Sequence, residues 1–478
     1  MQKQVPSKSL SQRLRVLLNR LEFDRAVFFG ILAKIWGVTA GPVTAVLIIT
    51  KFTPEYQGYY YTFASLLSLQ VFVELGLGTV IVQFASHEWS KLKIDDSGFI
   101  VGDKQALSRL VSLADITFKW YLIGGVVIAS GLGLGGYIFF AHLQNHSVNW
   151  VWPWLSLCIF TGIGVCIMPA LALLEGCNQV AAVYTYRFLQ GIVASLSIWV
   201  AIFLGANLWA ATISAAAIIL CSLLFLKYKY YNFIKSLLFS TSLDSRINWR
   251  KEIFPLQWRI ALSWISGYFV FSFFTPVIFR YYGSIVAGQF GMTWSVISMV
   301  SRISNSWLYA KVPRFGMLIA KKQYAELDLL FNKLTKIFVV VTILAAISIW
   351  FVIYIFIRLK FSFITRLLPL SSFTVFLIAE VIMMLSVPFS LYLIAHKKNP
   401  LVLVSVLTGL AVSVSTLIIG KYYSVTAIAF GYLVINIIIV LSIIIIWYRC
   451  RIKWHQGEDG FVDTVALAEI PIVDEAGF

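Results

Sequence analysis

AVFFGILAKIWGVTAGPVTAVLIIT, residues 26-50, decides the fold class. A hydrocarbon core about 30 Å thick needs roughly 20 mostly apolar helical residues per crossing. This stretch supplies them and carries one charged residue, Lys34. A second such run covers 59-85, and others follow at 116-141, 151-175, 179-205, 207-227, 256-280, 286-310, 335-358, 367-395, 399-420 and 424-448. With 60% hydrophobic and 12% charged residues among 478, the chain has lipid as its main solvent. The expectation is an all-α polytopic membrane protein of about twelve transmembrane helices.

The formal net charge of +17 would also suit nucleic acid. A nucleic-acid surface gathers its basic residues on one folded face, whereas here they punctuate apolar spans, so no nucleic-acid partner is expected. With the N-terminus in the cytoplasm, segments 86-115, 228-255 and 311-334, His396-Lys397-Lys398 and the tail with Arg449, Arg451 and Lys453 all lie inside. Lys51, Arg280, Arg358, Lys360, Arg366 and Lys421 fall on the other side. That asymmetry is the positive-inside pattern and gives N-in, C-in. The outer loops are short, His142 to Trp150 being among the longest, which argues against an integral-membrane glycosyltransferase or polymerase with an extracytoplasmic domain.

Residues 1-25 are basic and read as a cytoplasmic segment, suited to an amphipathic helix on anionic lipid. The apolar run after them is too long for a signal-peptide core. The organisation is then 1-25, a six-helix bundle over 26-227, a basic linker over 228-255, a second six-helix bundle over 256-448, and a tail over 449-478. The five cysteines show no metal or redox spacing and suit apolar packing.

A repeat relates the bundles. Thr53-Pro54-Glu55-Tyr56-Gln57-Gly58 leads into a span ending near His87, then Gly102 to Leu110, then another span. In the second half Ser284-Ile285-Val286-Ala287-Gly288-Gln289 leads into a span ending near Lys311, then Lys321 to Leu330, then another span. Six spans per half make the repeat parallel, about an axis along the membrane normal.

The opening Pro54-Glu55-Tyr56-Gln57-Gly58 turn, followed by Phe63-Ala64-Ser65, Glu74-Leu75-Gly76-Leu77-Gly78 and Gln83, resembles the polysaccharide (O-antigen, Wzx-type) flippases. These belong to the multidrug/oligosaccharidyl-lipid/polysaccharide exporter superfamily. Pro313-Arg314-Phe315, Ala320 and Glu326-Leu327 resemble the matching second repeat, and the likeness spans most of residues 26-448. The resemblance implies a flippase in the bacterial inner membrane. It would move undecaprenyl-diphosphate-linked oligosaccharide outward by alternating access for O-antigen, capsule or exopolysaccharide synthesis. A polysaccharide polymerase and a chain-length regulator are the partners it implies.

An ionisable group inside hydrocarbon costs about 2.5–3.5 kcal/mol on insertion scales and needs a polar cavity or a partner. Lys34, Arg187 and Arg302 lie roughly a third of the way in from the cytoplasmic side, and Arg259 is shallower. Such fixed charges would attract a lipid diphosphate, and Arg matches phosphate oxygens bidentately. The competing reading is that each snorkels to the interface, which suits Arg259 best. Ser295, Ser298, Arg302, Asn305, Ser306 and Tyr309 recur at helical spacing as one polar stripe. Gly30, Ala33, Lys34, Gly37 and Gly41 form a small-residue face open to close helix approach.

Glu74 and Glu380 are the acidic residues nearest mid-membrane. Each either binds H+ or Na+ and couples a gradient to the transport cycle, or stands in a static ion pair with Lys34 or an arginine. Both precede flexible points, Gly76 and Gly78 in one case and Pro388 in the other. Trp150, Trp152, Trp154, Tyr281-Tyr282 and Tyr422-Tyr423 read as interface belts. Without a phosphate-binding glycine loop, HExxH or a metal-spaced cluster, neither catalysis nor a bound cofactor is expected. A cation-coupled multidrug exporter of the same superfamily is the rival, and it would favour an acidic cavity.

Overall fold

The computed structural model describes residues 25–142, 148–239, 245–309, 311–396 and 400–456. The basic segment before residue 25, the tail from 457, Lys397-Lys398 and residues 143–147 lie outside the described residues. Hydrocarbon offers no water to backbone N–H and C=O groups, so the apolar runs close their hydrogen bonds internally as helices. In chain order these are α1 (Arg25–Lys51), α2 (Pro54–Leu67), α3 (Val71–Glu74) and α4 (Leu77–Trp89). After a short hairpin, β1 (Leu92–Ile94) and β2 (Ile100–Gly102), come α5 (Lys104–Ala141), α6 (Val151–Gly176), α7 (Val180–Phe203) and α8 (Trp209–Phe239). The remainder are α9 (Phe254–Phe271), α10 (Phe274–Tyr309), α11 (Val312–Ala320), α12 (Tyr324–Arg358), α13 (Leu370–Leu385), α14 (Val387–Ala395), α15 (Val402–Tyr422) and α16 (Val425–His455).

Among the described residues ten helical stretches are long and apolar enough to cross a membrane, or eleven if the pair Pro54–Glu74 and Leu77–Trp89, bent by 42°, is one span. One of the ten, Trp249–Asn305, has 57 residues and covers two expected spans, 256-280 and 286-310. At about 1.5 Å per residue it is far too long for one crossing. It is interrupted at Gly283, whose φ of 86° and ψ of 175° only glycine adopts without strain. A Cβ there would meet no neighbour, so Gly283→Ala isolates the backbone cost. A loss of about 1–3 kcal/mol is expected in thermal unfolding of the purified protein, and an unchanged melting temperature would show that the turn tolerates a side chain.

Several helices overrun their expected ends on the side of the basic loops. α5 starts at Lys104 rather than 116, α8 runs to Phe239 rather than 227, α12 starts at Tyr324 rather than 335, and α16 runs to His455 rather than 448. Hydropathy ends a span at its first charges, but an amphipathic helix continues while one face still packs. A short hairpin in the loop after α4 sits beside this predominantly helical fold. Leu92 pairs with Gly102 and Ile94 with Ile100 around Asp95-Asp96-Ser97-Gly98, and it is fastened to α8 by Asn232 Nδ2 donating to Ser97 O at 2.6 Å.

The chain forms two compact units. The first contains the residues up to Thr44, Leu77–Ala129 and Ile159–Glu252. Within it α1 lies on α7: Trp36 Nε1 donates to Gly191 O and to Ser195 Oγ, both at 3.2 Å, and Trp199 Nε1 donates to Thr44 Oγ1 at 2.8 Å. Helices α5 and α6 cross backbone to backbone at Gly125 and Gly162, where a Cβ would come within 2.6 Å of the facing carbonyl oxygen. Arg109 on α5 bonds Glu88 at 2.8 Å and Glu252 at 2.6 Å. Ser108 and Ser112 bond the backbone of Ser245 and Ile247, so the end of the linker is stitched along α5.

The second unit contains Ala45–Gly76, Ser130–Cys158 and the residues from Ile253 onward. Its core includes two aromatic groups, Tyr59, Phe63, Phe140, Trp154 and Phe279 in one and Phe274, Phe290, Trp294, Phe376 and Tyr432 in the other. Trp150 and Trp154 are therefore core residues rather than belt residues, while Trp152 is exposed. Trp150 stands directly before α6 and its carbonyl accepts from Trp154 N at 2.9 Å, so the two buried tryptophans, four apart, lie to one side, and Trp154 Nε1 donates to Leu132 O at 3.1 Å.

The two motifs that read as repeat equivalents meet inside this unit. Thr53 caps α2 and Pro54 opens it, bringing Gly58 against α10. A Cβ on Gly58 would lie 1.9 Å from Ser284 O, and one on Gly288 would lie 2.8 Å from Gly58 N. Buried Gln57 donates through Nε2 to Gly288 O at 2.8 Å and to Arg366 O at 3.1 Å. Arg366 in turn donates to Phe52 O at 2.7 Å. Burial lowers the pKa of this guanidinium, and the nearby Glu55 opposes the shift.

Candidate functional site

Lys34 and Arg187 belong to the first unit, and Glu74, Arg259, Arg302, Glu380 and the polar stripe belong to the second. In the first unit Lys34 is exposed on α1, and no carboxylate pairs with it among the described residues. The small-residue face beside it only partly serves helix approach. Gly30 lies under Tyr184, where a Cβ would come to 3.0 Å, but a Cβ on Gly37 or Gly41 would meet nothing within 4 Å. The packed side of α1 is set instead by Trp36 and Thr44, which leaves Lys34, Gly37 and Gly41 along an open strip.

Arg187 differs from Lys34. It is exposed too, but Nη2 bonds Glu175 Oε2 at 2.7 Å and its guanidinium lies 5.4 Å from the Tyr184 ring centroid. The sequence reading had no place for Glu175. It stands at the end of α6, and the short α6–α7 turn brings it level with Arg187, so an acidic residue shortly before an antiparallel turn was the available signal.

In the second unit Arg302 is exposed and, among the described residues, without an ion pair. The buried face of this part of α10 is Ile297, Val300, Ser304 and Leu308. Ser295, Ser298 and Asn305 are half-buried beside that face, and Tyr309 is exposed like Arg302. Ser295 and Ser298 bond back to the carbonyls of Gly291 and Ser295, whereas Asn305 Oδ1 is buried without a donor. Arg259, half-buried on α9, sits 5.6 Å from the Trp258 ring centroid.

Neither carboxylate stands in an ion pair among the described residues. Glu74 ends α3, and the chain breaks directly after it, with Leu75 at φ 48° and Gly76 at φ 65°. Gly76 is also pressed against α9, where a Cβ would come within 2.2 Å of Ile260 Cγ2. Glu74 Oε1 is buried and has no hydrogen-bond partner. Glu380, on α13, is 3% exposed, and its Oε2 is likewise unpartnered. Ser301 and Tyr432 are its polar neighbours, and Asn436 donates to the adjoining Ala379 O at 3.3 Å. An unpaired buried carboxylate is costly, and Glu380 is the more enclosed of the two, Glu74 being half-buried.

No protein-family model and no curated protein matches the sequence. Solved structures do. The inward-facing conformation of a multidrug resistance MATE family transporter of the MOP superfamily aligns with TM-score 0.68 at 14% identity, covering 88% of this chain and 96% of that one. An outward-facing conformation of a MATE family transporter aligns at 0.56 and 16%, over 91% and 96%. The lipid II flippase MurJ, in an inward closed conformation, aligns at 0.60 and 14%, over 93% and 94%. The chain therefore has the helical transporter fold that the multidrug MATE family of the MOP superfamily and the lipid II flippase MurJ have in common.

Proposed function

We propose that this chain is a lipid-linked oligosaccharide flippase of the Wzx type. It moves undecaprenyl-diphosphate-linked glycan from the inner to the outer leaflet of a bacterial inner membrane by alternating access, with both termini in the cytoplasm. The observation that carries this reading is the state of the deep cations. Lys34 and Arg302 are both exposed and carry no internal counter-charge among the described residues, and an uncompensated charge at that depth calls for an anionic partner. A diphosphate supplies one, and MurJ, one of the fold neighbours, acts on lipid II. Arg187, engaged with Glu175, and Arg259, over Trp258, contribute through electrostatic potential rather than as free ligands. Glu74 and Glu380 are the proposed receptors for a coupling H+ or Na+. A polymerase and a chain-length regulator would receive the exported unit.

A second reading draws on the MATE neighbours and the two unpaired carboxylates, which suit a cation-coupled exporter of cationic drugs. A deletion strain complemented at matched protein level separates the two. On the flippase reading, Lys34→Ala and Arg302→Ala each lower surface glycan export roughly 10- to 100-fold, the value of one charged hydrogen bond. Lipid-linked precursor then accumulates on the cytoplasmic leaflet, and Arg302→Lys retains part of the activity because charge survives without the fork. Normal surface glycan in the deletion strain, with drug sensitivity raised instead, would establish the exporter.

A further inference from the structure

The second unit carries an apolar groove of about 450 Å³ that the proposed transport site does not use. Leu69, Gly135, Phe139, Phe269, Phe273 and Leu417 are among the residues that form its walls. Its volume lies within the roughly 300–1,000 Å³ of small-molecule sites. Along α5 the lining runs from Gly131 to Phe139, about 12 Å of helix at 1.5 Å per residue.

Two of its wall residues are glycines that helix packing does not require. A Cβ on Gly131 or on Gly135 would meet nothing within 4 Å, whereas one on Gly136, beside them, would strike the Trp154 ring at 2.4 Å. Glycine in a helix interior is unfavourable by about 0.8–1.0 kcal/mol relative to alanine. At 131 and 135 the compensation is not a neighbouring helix, and what the missing side chains leave is the groove itself. Arg280 is the single charged residue in the lining, it is exposed, and no carboxylate pairs with it among the described residues.

We propose that this groove holds a resident anionic phospholipid of the adjacent leaflet, one chain lying along Gly131 and Gly135 and the phosphate on Arg280. One guanidinium matches the single charge of a phosphodiester. The lining contains no Asn, Gln, Asp or Glu to hold a sugar, which favours a phospholipid over the glycan end of a lipid-linked substrate. All lining residues belong to one compact unit, so the groove is complete within that unit.

The test uses the purified full chain in phosphatidylcholine vesicles with a trace of phosphatidylglycerol bearing a photoactivatable group in its tail. Crosslinks are expected within 131–139 and 268–281, displaced by unlabelled phosphatidylglycerol but not by further phosphatidylcholine. Filling the groove with Gly131→Leu and Gly135→Leu together should abolish them. Arg280→Gln, which breaks no internal bond and leaves the groove open, should weaken phosphatidylglycerol competition roughly tenfold. Equal competition by phosphatidylcholine, or labelling unchanged by Arg280→Gln, would reduce the groove to ordinary annular contact and overturn the proposal. Stronger competition by a polyprenyl diphosphate than by phosphatidylglycerol would also overturn it, by assigning the groove to a transport substrate's tail.

Discussion

Replacing Gly58 with valine is expected to destabilise the protein more than any other exposed or buried glycine substitution of comparable size described above. The ideal Cβ at this position lies 1.9 Å from Ser284 O, and the carbonyl carbon is 2.6 Å away. The obstacle is backbone, which cannot swing aside as a side-chain tip can. Overpacking of a tight contact costs about 1–3 kcal/mol and occasionally more, and this contact belongs at the upper end. Separating α2 from α10 would also stretch the bond from Gln57 Nε2 to Gly288 O and leave a buried carbonyl short of a donor, at about 1–3 kcal/mol. The check is thermal unfolding in detergent against Gly78→Ala, where a Cβ meets nothing and a small gain is expected from helix propensity. If the two variants unfolded at the same temperature, the close approach at Gly58 would not exist in the folded protein.

The second large effect is expected at Arg109. Its guanidinium sits between Glu88, whose side chain is 9% exposed, and Glu252, at 33%. Arg109→Met removes the positive charge but keeps much of the apolar stem, so what remains is a buried carboxylate whose remaining basic neighbour is His87, exposed and 3.7 Å away. Breaking such a pair from one side costs about 3–5 kcal/mol, most of it at Glu88, since Glu252 is partly screened by water. The double variant Arg109→Met with Glu88→Gln should recover much of the loss. The same change should loosen the stitched stretch 245–252, so limited proteolysis there should quicken in the single variant. A stable single variant with unaltered proteolysis would mean that Glu88 is hydrated and the network is incidental.

The apolar spans were legible because a bilayer imposes a length that a sequence must satisfy. Helix ends were less legible. At Lys104 and Tyr324 the helix begins in charged sequence, and only the neighbouring helices, absent from a hydropathy profile, reveal that one face is packed. The hairpin at 92–102 had a readable turn in Asp-Asp-Ser-Gly but only three residues per strand, too few for an alternating pattern to stand out. Among the site residues, the helix break after Glu74 was foreshadowed by two glycines. Partnership could not be counted. Glu175 meets Arg187, and Arg109 meets Glu88 and Glu252, across registers set by turn geometry and helix packing. The tryptophans at 150 and 154 looked interfacial by composition, but spacing by four places both on the face that turns inward.

Gly58 against Gly288 has a meaning beyond packing density. With no side chain on either face, α2 and α10 bear directly on each other's backbone, where a Cβ on Gly288 would lie 2.8 Å from Gly58 N. Side chains between two helices can take up a small shift by changing rotamer, but backbone in contact with backbone cannot. A displacement of either helix is therefore passed to the other without slack.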